Sequence, residues 1–444
     1  MVRSGSLLPD FAWRDEVPVS VEELRAQARA WLASNAALRA TQSRGGDGSD
    51  GDGSDDDQAT ASLEPSGDDQ VARAKACQAA LYDAGFVGVT WPTEYGGRGL
   101  TKDHQQAFAD EAAGYELPVS MYTIGLGMVA PTILEFGTEQ QKKRHIRPML
   151  RGEEVWSQLF SEPGAGSDVA SLQTRAVRDG DEWVLNGQKV WTTGAQHSDY
   201  GAVIARTNPD QPKHRGITMF IVNLRGPGVT VKPLREITGG AAFNEVFFDD
   251  VRVPTDAVIG QVDDGWRCAV AMLMNERVAI GASGGPGAGG GRRAGGFDAL
   301  LRLTRDRGRS SDPVVRDRLA QVFIAERVLS YIGLRVRAAT TAGRAPGPEG
   351  SIAKLVAARL ARFSSDLGGD IAGASAVAWE PGDRRSESLA GAILGAPAAR
   401  IAGGTDEVQR NIIGERVLAL PKEPQVDRDV PFRELKVGTQ RAQA

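Results

Sequence analysis

The spacing of apolar residues changes twice along the chain, and the changes divide it into three blocks. In the first block the spacing is helical. Val21, Leu24, Ala28, Trp31 and Leu32 recur on one face behind Ser20 and Glu23, a capping box, so a helix is expected from there to about Leu38. Another is expected over 71–84, with Gly85 placed to close it in a left-handed cap. Residues 102–116 and 121–136 read as two more, and Thr138 with Gln141 opens a further helix to about Leu150.

The second block is rich in strand-forming residues. Trp183 to Leu185, the pair Asn186-Gly187 and a return over 189–193 read as a hairpin. Runs at 200–206, 216–224, 229–234 and 243–253 follow, separated by turns, and imply a small antiparallel barrel or sandwich. From Asp264 the period is helical again, with Val270, Leu273, Met274, Val278 and Ala279 marking the buried side of a helix to about Gly281. Asp312 as N-cap with Pro313 behind it opens a long helix to about Ala342, and 351–368 and 400–418 supply two more.

A chain of 444 residues exceeds the size at which single cores stop growing, so several domains are expected. The fold class is α+β and multidomain: a helical domain over 1–152, a β domain over 153–262, a helical domain over 263–424 and a tail over 425–444. Within the first, residues 41–70 hold eight Asp and Glu64 against the single Arg44, which reads as a disordered acidic insert. Asp50, Asp52 and Ser54 alternate there, but Asp55 stands where a calcium loop needs glycine and no glutamate closes the loop. Residues 281–296 form a glycine-rich connector; Gly285, Gly287 and Gly290 fit GxGxxG without the strand that a nucleotide loop requires.

Charge and cysteine content narrow the function classes. The formal net charge is −5, and no basic run points to nucleic acid. Cys77 and Cys268 match no disulfide or zinc spacing, and His104, His145, His197 and His214 match no metal spacing. No apolar run is long enough to cross a membrane and residues 1–10 show no signal-peptide core, so a cytoplasmic location is expected.

The densest polar chemistry lies between Val155 and Gly194. Leu159 and Phe160 lead into Ser161, Glu162, Pro163, Gly164, Ala165, Gly166, Ser167 and Asp168, a strand ending in a Pro/Gly turn studded with hydroxyls. Such a turn offers backbone N–H groups to an anion or a polar ring.

This stretch, a hydroxyl residue followed by EPGAGSD, together with NGxKxWxT at 186–193, resembles the acyl-CoA dehydrogenase family. The WPxEYGGxG turn at 91–99, EFGTEQQKK at 135–143 and FFDDVRVP at 247–254 extend the resemblance. It implies the three-domain fold, bound FAD, an acyl-CoA substrate oxidised to the trans-2-enoyl thioester, and an electron-transferring flavoprotein as acceptor. Carried over residue by residue, Phe160, Ser161, Gly166, Ser167, Trp191 and Thr193 would hold the flavin, with Ser167 also touching substrate. Arg305 would meet a phosphate, and Thr405 would lie at the flavin edge of a neighbouring subunit in a dimer or tetramer.

The same resemblance locates the base. Family members that carry IYEGT use its glutamate, whereas this chain reads IAGGT over 401–405 and has Gly403 at that position. Other branches place the base in an ERL or ERV sequence on the helix after the β domain, which is Glu276-Arg277-Val278 here. Glu276 is therefore the candidate base, and Arg277 a candidate substrate contact. Read from the residues alone, Glu276 is equally a helix glutamate paired with Arg277 or a basic neighbour.

The motifs that complete a neighbour's flavin site in typical members are altered: 305–313 has no phenylalanine, and 368–379 lacks the glutamine and glycine pair. The chain is similar to bacterial members with IAGGT, some of which form mixed tetramers acting on bulky CoA thioesters such as steroid side chains. A non-catalytic or half-site partner subunit, and a dehydrogenase of carrier-protein thioesters, are the alternatives.

Overall fold

The computed structural model describes residues 19–38, 67–282, 296–341, 347–380, 382–425 and 427–435, without the side chains of 277–282, 337, 340, 341 and 384. The acidic insert up to 66, and the glycine-rich connector over 283–295, lie outside the described residues.

Ser20 caps the first helix, α1 (Val21–Asn35), as expected: its hydroxyl accepts the Glu23 N–H at 3.2 Å, and Glu23 accepts the Ser20 N–H at 2.8 Å. Next come α2 (Asp68–Asp83), followed by Gly85 at φ +79°, and α3 (Lys102–Ala112). The segment expected as one helix over 121–136 is broken into a 3-10 turn at Ser120–Tyr122, a π-helical turn at Gly125–Val129 and α4 (Ala130–Phe136). Pro131 has no N–H for a regular turn and its ring crowds the preceding carbonyl, so the wider turn sends the Ala130 N–H to the Gly125 carbonyl. The Thr138–Gln141 capping box opens α5 (Glu139–Arg151).

Eight strands follow: β1 (Trp156–Leu159), β2 (Arg175–Asp179), β3 (Glu182–Lys189), β4 (Tyr200–Arg206), β5 (Ile217–Asn223), β6 (Val229–Leu234), β7 (Phe243–Pro254) and β8 (Val258–Ile259). Their order is β6-β7-β3-β2-β4-β5-β8, with β1 paired to β4. Most pairings are antiparallel, as expected, but β1 and β2 both meet β4 in parallel, β2 through the single pair Arg175–Arg206. Trp183 of β3 meets Phe220 of β5 edge-on at 5.6 Å. Strands that are not neighbours touch in this way when two halves of a sheet face each other, which makes the domain a sandwich.

Asn186-Gly187 is not a hairpin turn. The chain reverses at Gly180 (φ +61°), and β3 runs straight through both residues, with a bulge against β7. A Cβ on Gly187 would lie 2.5 Å from the Thr174 hydroxyl, so this glycine serves close approach. Asn186 is pinned across the sheet, its amide donating to Asp250 at 2.9 Å and its oxygen accepting the Asp250 N–H at 3.1 Å.

The third block starts with α6 (Gly265–Ala282), whose buried side is Cys268, Ala269 and Met272. Of the expected face, Leu273 packs partly buried against this core, whereas Met274 is 37% exposed. Gly265 sets this rotation: a Cβ there would lie 2.5 Å from the Met219 nitrogen, so the helix seats its small residues on β5. One core joins α4, α5, the sandwich and this face of α6.

The remaining helices are α7 (Phe297–Asp306), α8 (Pro313–Thr341), α9 (Glu349–Ala372), α10 (Arg384–Gly395) and α11 (Asp406–Ile412), which continues as a π-helical turn at Ile413–Val417. Asp312 caps α8 as expected, accepting the N–H groups of Val314 at 2.9 Å and Val315 at 3.2 Å. Helices α7 and α10 were not anticipated, because short amphipathic segments beside glycine-rich or Pro-Gly stretches give a weak periodic signal. The last helix begins at Asp406 instead of Arg400: Gly403 and Gly404 are both left-handed, and Thr405 is the cap. A separate core of Leu300, Val315, Leu319, Val322, Leu367 and Ile371 holds α7, α8 and α9 together. Ile324, Val328 and Tyr331 form an exposed apolar stripe along α8.

The C-terminal segment returns to the sandwich. Pro431 bridges Pro212, the Phe432 N–H donates to the Gln211 carbonyl at 2.9 Å, and the Phe432 ring lies 3.8 Å from the Arg206 guanidinium. Lys213 sits between Asp427 of this segment at 2.9 Å and Asp168 at 3.1 Å.

Candidate active site

A buried ion pair holds the turn after β1. The Lys189 ammonium, fully buried at the end of β3, donates to Glu162 at 2.8 Å and to the Phe160 carbonyl at 3.0 Å. Glu162 also accepts the N–H groups of Gln173 at 2.6 Å and Thr174 at 2.9 Å. Burial alone would raise the Glu162 carboxyl, but the Lys189 charge and these donors hold it below the usual carboxylate range. Burial pulls the Lys189 ammonium the other way, below its usual value, with Glu162 opposing. Two backbone dipoles and an ammonium take the place of water around the Glu162 carboxylate. The backbones of Glu162 and Ala165 exchange two 3.0 Å hydrogen bonds, so the Pro163-Gly164 turn is closed and Gly166 and Ser167 project outward, exposed.

Beyond β3, Trp191 stands at φ +59° with its indole 60% exposed and edge-on to Phe243 at 5.8 Å. A bulky residue in this region costs roughly 1–3 kcal/mol and persists where its surroundings over-determine it. Here the Val190 N–H donates to the Ser161 carbonyl at 2.9 Å, and Thr192 and Asn244 exchange hydrogen bonds at 3.1 and 2.9 Å. Ser157 holds the Thr193 carbonyl at 2.8 Å. The Thr192 hydroxyl is buried without a partner, and those of Ser161, Ser167 and Thr193 make no hydrogen bond among the described residues. An exposed aromatic face on a segment joined to that of Ser161, with unengaged hydroxyls on both, fits a flat polar ring system.

The second group of candidates is on the helical domain. Glu276, half-buried on α6, interacts electrostatically with Lys354 of α9. Lys354 donates to the Gly404 carbonyl, and the Gln409 amide donates to Gly403 at 2.8 Å. The Thr405 hydroxyl accepts the Val408 N–H at 3.2 Å. Arg400 pairs at 2.8 Å with Asp406, itself 1% exposed. Burial lowers Lys354, with the Asp406 and Glu276 charges opposing. Glu276 and the turn that ends in Gly404 thus both engage one lysine.

Arg305 stands apart, exposed at the end of α7. It lines a shallow groove of about 510 Å³ with Phe297, Thr304, Arg316 and Phe323, and none of the β-domain candidates shares that groove. The side chain of Arg277 lies outside the described residues. His104 bridges Thr101 and the Val19 carbonyl at 2.7 Å each, and His145 meets Glu154 at 3.0 Å; both serve packing. Sequence reasoning passed over Lys189, Glu162 and Lys354. For Lys189 the available signal was a charge at an inward-facing position of an apolar strand; Lys354 gave none.

A helical domain, a β sandwich and a second helical domain in this order are the layout of the acyl-CoA dehydrogenase class of oxidoreductases. The chain belongs to that family: the acyl-CoA dehydrogenase N-terminal, middle and C-terminal domain models match residues 61–153, 157–251 and 263–418. Among curated relatives, acyl-CoA dehydrogenase IpdE1 of Mycobacterium tuberculosis is 38% identical over 408 residues, 91% of this chain and 98% of that one. Two solved structures are similar. The steroid ACAD Tcur3481-Tcur3483 aligns at TM-score 0.74 and 26% identity over 92% of this chain and 99% of that one. The ChsE4-ChsE5 complex from Mycobacterium tuberculosis aligns at 0.68 and 29%, over 93% of this chain and all of that one (100%).

Proposed function

We propose that this chain oxidises an acyl-CoA thioester between its α and β carbons, with Glu276 taking the α proton. FAD, when bound, accepts the hydride from the β carbon. The observation that carries the reading is that Lys354 interacts both with Glu276 of α6 and with the Gly403-Gly404 turn, where the usual carboxylate is missing. Trp191 would cover one face of the flavin, and the hydroxyls of Ser161, Ser167 and Thr193 would bond its polar edge. Half-burial of Glu276 favours proton transfer once an acyl chain excludes water from it. The similar structure named as a steroid ACAD favours a bulky, ring-bearing acyl group, and an electron-transferring flavoprotein is the proposed acceptor.

A mixed or homomeric oligomer completes the site. The apolar stripe on α8 favours association, and Arg305 faces its own groove, away from the β-domain candidates of the same chain. That separation also favours a second reading, in which the chain supplies half a flavin site to a partner subunit.

The test is anaerobic addition of steroid-side-chain and straight-chain CoA thioesters to the flavin-loaded protein, followed by its visible spectrum. Wild type is expected to bleach within turnover time, and Glu276→Gln to remain oxidised, a loss of at least about a thousandfold. Bleaching of the variant at the wild-type rate refutes the assignment. Flavin that binds only when a partner chain is present supports the half-site reading.

A further inference from the structure

We propose that Phe432 and Asp427 of the C-terminal segment are positioning residues for the substrate: through Arg206 and Lys213 they hold in place the loop that carries Ser167. The inference rests on the reading of Ser167 as a substrate contact.

Two cations carry the connection. Arg206 ends β4 and is 5% exposed, and its guanidinium donates to backbone carbonyls: to Ala170 at 2.6 Å, and to Lys213 and Arg215 at 2.9 Å each. The buried Phe432 ring covers it at 3.8 Å, and its Nε is buried without a partner. Burial pulls this guanidinium down to about 10, the mark of a charge kept from water. A shielded cation bonds its carbonyls more strongly than a wet one, so the ring tightens the grip on Ala170. Lys213 is the second cation, with Asp427 at 2.9 Å on one side and Asp168 at 3.1 Å on the other. Asp168 and Ala170 follow directly on Ser167, so both cations grip one stretch of chain.

The turn over 207–216, which carries Lys213, is itself anchored. The Thr207 hydroxyl donates to Asp263 at 2.5 Å, the Gly216 N–H donates to the Asp263 carbonyl at 3.1 Å, and His214 meets Trp266 edge-on at 5.0 Å. Asp263 and Trp266 stand at the start of α6, the helix of Glu276. On its outer side the turn is clasped by the C-terminal segment: the Arg433 N–H donates to the Pro209 carbonyl at 3.0 Å, and its guanidinium pairs with Asp210 at 2.9 Å. The loop of Ser167 and the start of the Glu276 helix are thus fixed to one turn, which the C-terminal segment closes.

Phe432→Leu keeps most of the bulk and loses the ring face, and Asp427→Asn keeps the size and loses the charge. In the flavin-loaded full chain, amide exchange over 168–172 should quicken about tenfold in the first and about threefold in the second, with β3 and β7 unchanged. KM for a CoA thioester that bleaches the wild type should rise by similar factors while kcat stays within about twofold, because the proton transfer is untouched. Phe432→Tyr and Asp427→Glu, which keep the ring face and the charge, should restore both readouts. A merely structural role predicts faster exchange throughout the chain and an unmoved KM.

Unchanged exchange over 168–172 in both variants, or a faster loop with KM unmoved, overturns the proposal. So does Ser167→Ala with a wild-type KM, which removes the contact being positioned. Failure of the dehydrogenase reading is separately visible: no thioester then bleaches the wild type, although the loop still exchanges faster in the variants. Should Phe432→Leu not fold, Asp427→Asn and Lys213→Met, which cuts both ion pairs, decide the matter.

Discussion

Lys189→Met tests the anchor beneath the proposed flavin loop. At 2.8 Å and an effective dielectric of about 20, the attraction between the Lys189 and Glu162 charges is about 6 kcal/mol, set against several kcal/mol of desolvation per ion. Methionine keeps most of the volume but leaves the Glu162 carboxylate buried without a counter-charge. It retains two backbone donors, from Gln173 and Thr174, so the expected loss is about 3–5 kcal/mol. Urea unfolding followed by tryptophan fluorescence measures it, and amide exchange across 161–174 should show the loop opening first. Adding Glu162→Gln to Lys189→Met removes the stranded charge and should recover at least about 1 kcal/mol. A loss below about 1 kcal/mol for the single variant, or simple additivity in the double one, would refute the reasoning.

Three further outcomes follow from the geometry. The carboxyls of Glu162 and Glu154 are both held below their usual range in the folded chain, Glu162 by Lys189 and its donors, Glu154 by His145 and Arg144, in each case against burial. Their stabilisation is complete above the unfolded value of about 4.3 and is lost as pH falls through the depressed folded values, so urea midpoints should hold from neutral pH to about 5 and drop below 4. Gly404→Ala forces a side chain at φ +91° against the Gln409 amide; a cost of about 1–3 kcal/mol is expected in thermal unfolding, with loss of dehydrogenation. Trp191→Gly relieves the positive φ and removes the exposed indole, so stability should hold or rise while flavin affinity, measured by fluorescence titration, falls at least about tenfold.

Much of this was legible in the chain. Ser20 with Glu23, and Thr138 with Gln141, marked helix starts because a cap uses residues three apart, a local relation. Strands β4 and β6 matched their expected limits, since long apolar or alternating runs bounded by turns leave few choices. Asn186-Gly187 misled because a bulge and a turn both ask for glycine, and the choice between them depends on Thr174, which is distant in sequence. The buried face of α6 was hidden for a related reason: two faces were apolar, and the contact of Gly265 with β5 selected the one with small side chains. The candidate site followed the same division. The β-domain loop announced itself by composition, whereas Lys189 and Lys354 owe their roles to partners that tertiary structure brings near.

The strap formed by Asp427 and Phe432 gives the molecule an order of assembly. A ribosome delivers the Ser161–Asp168 loop well before the segment that Lys213 joins to it, so the sandwich can form while this loop still lacks its last tether. Phe432 can close over Arg206 only after every strand of the sandwich has been made. Chains released short of residue 427 would therefore carry every candidate side chain of the active site and yet leave one edge of it unfastened.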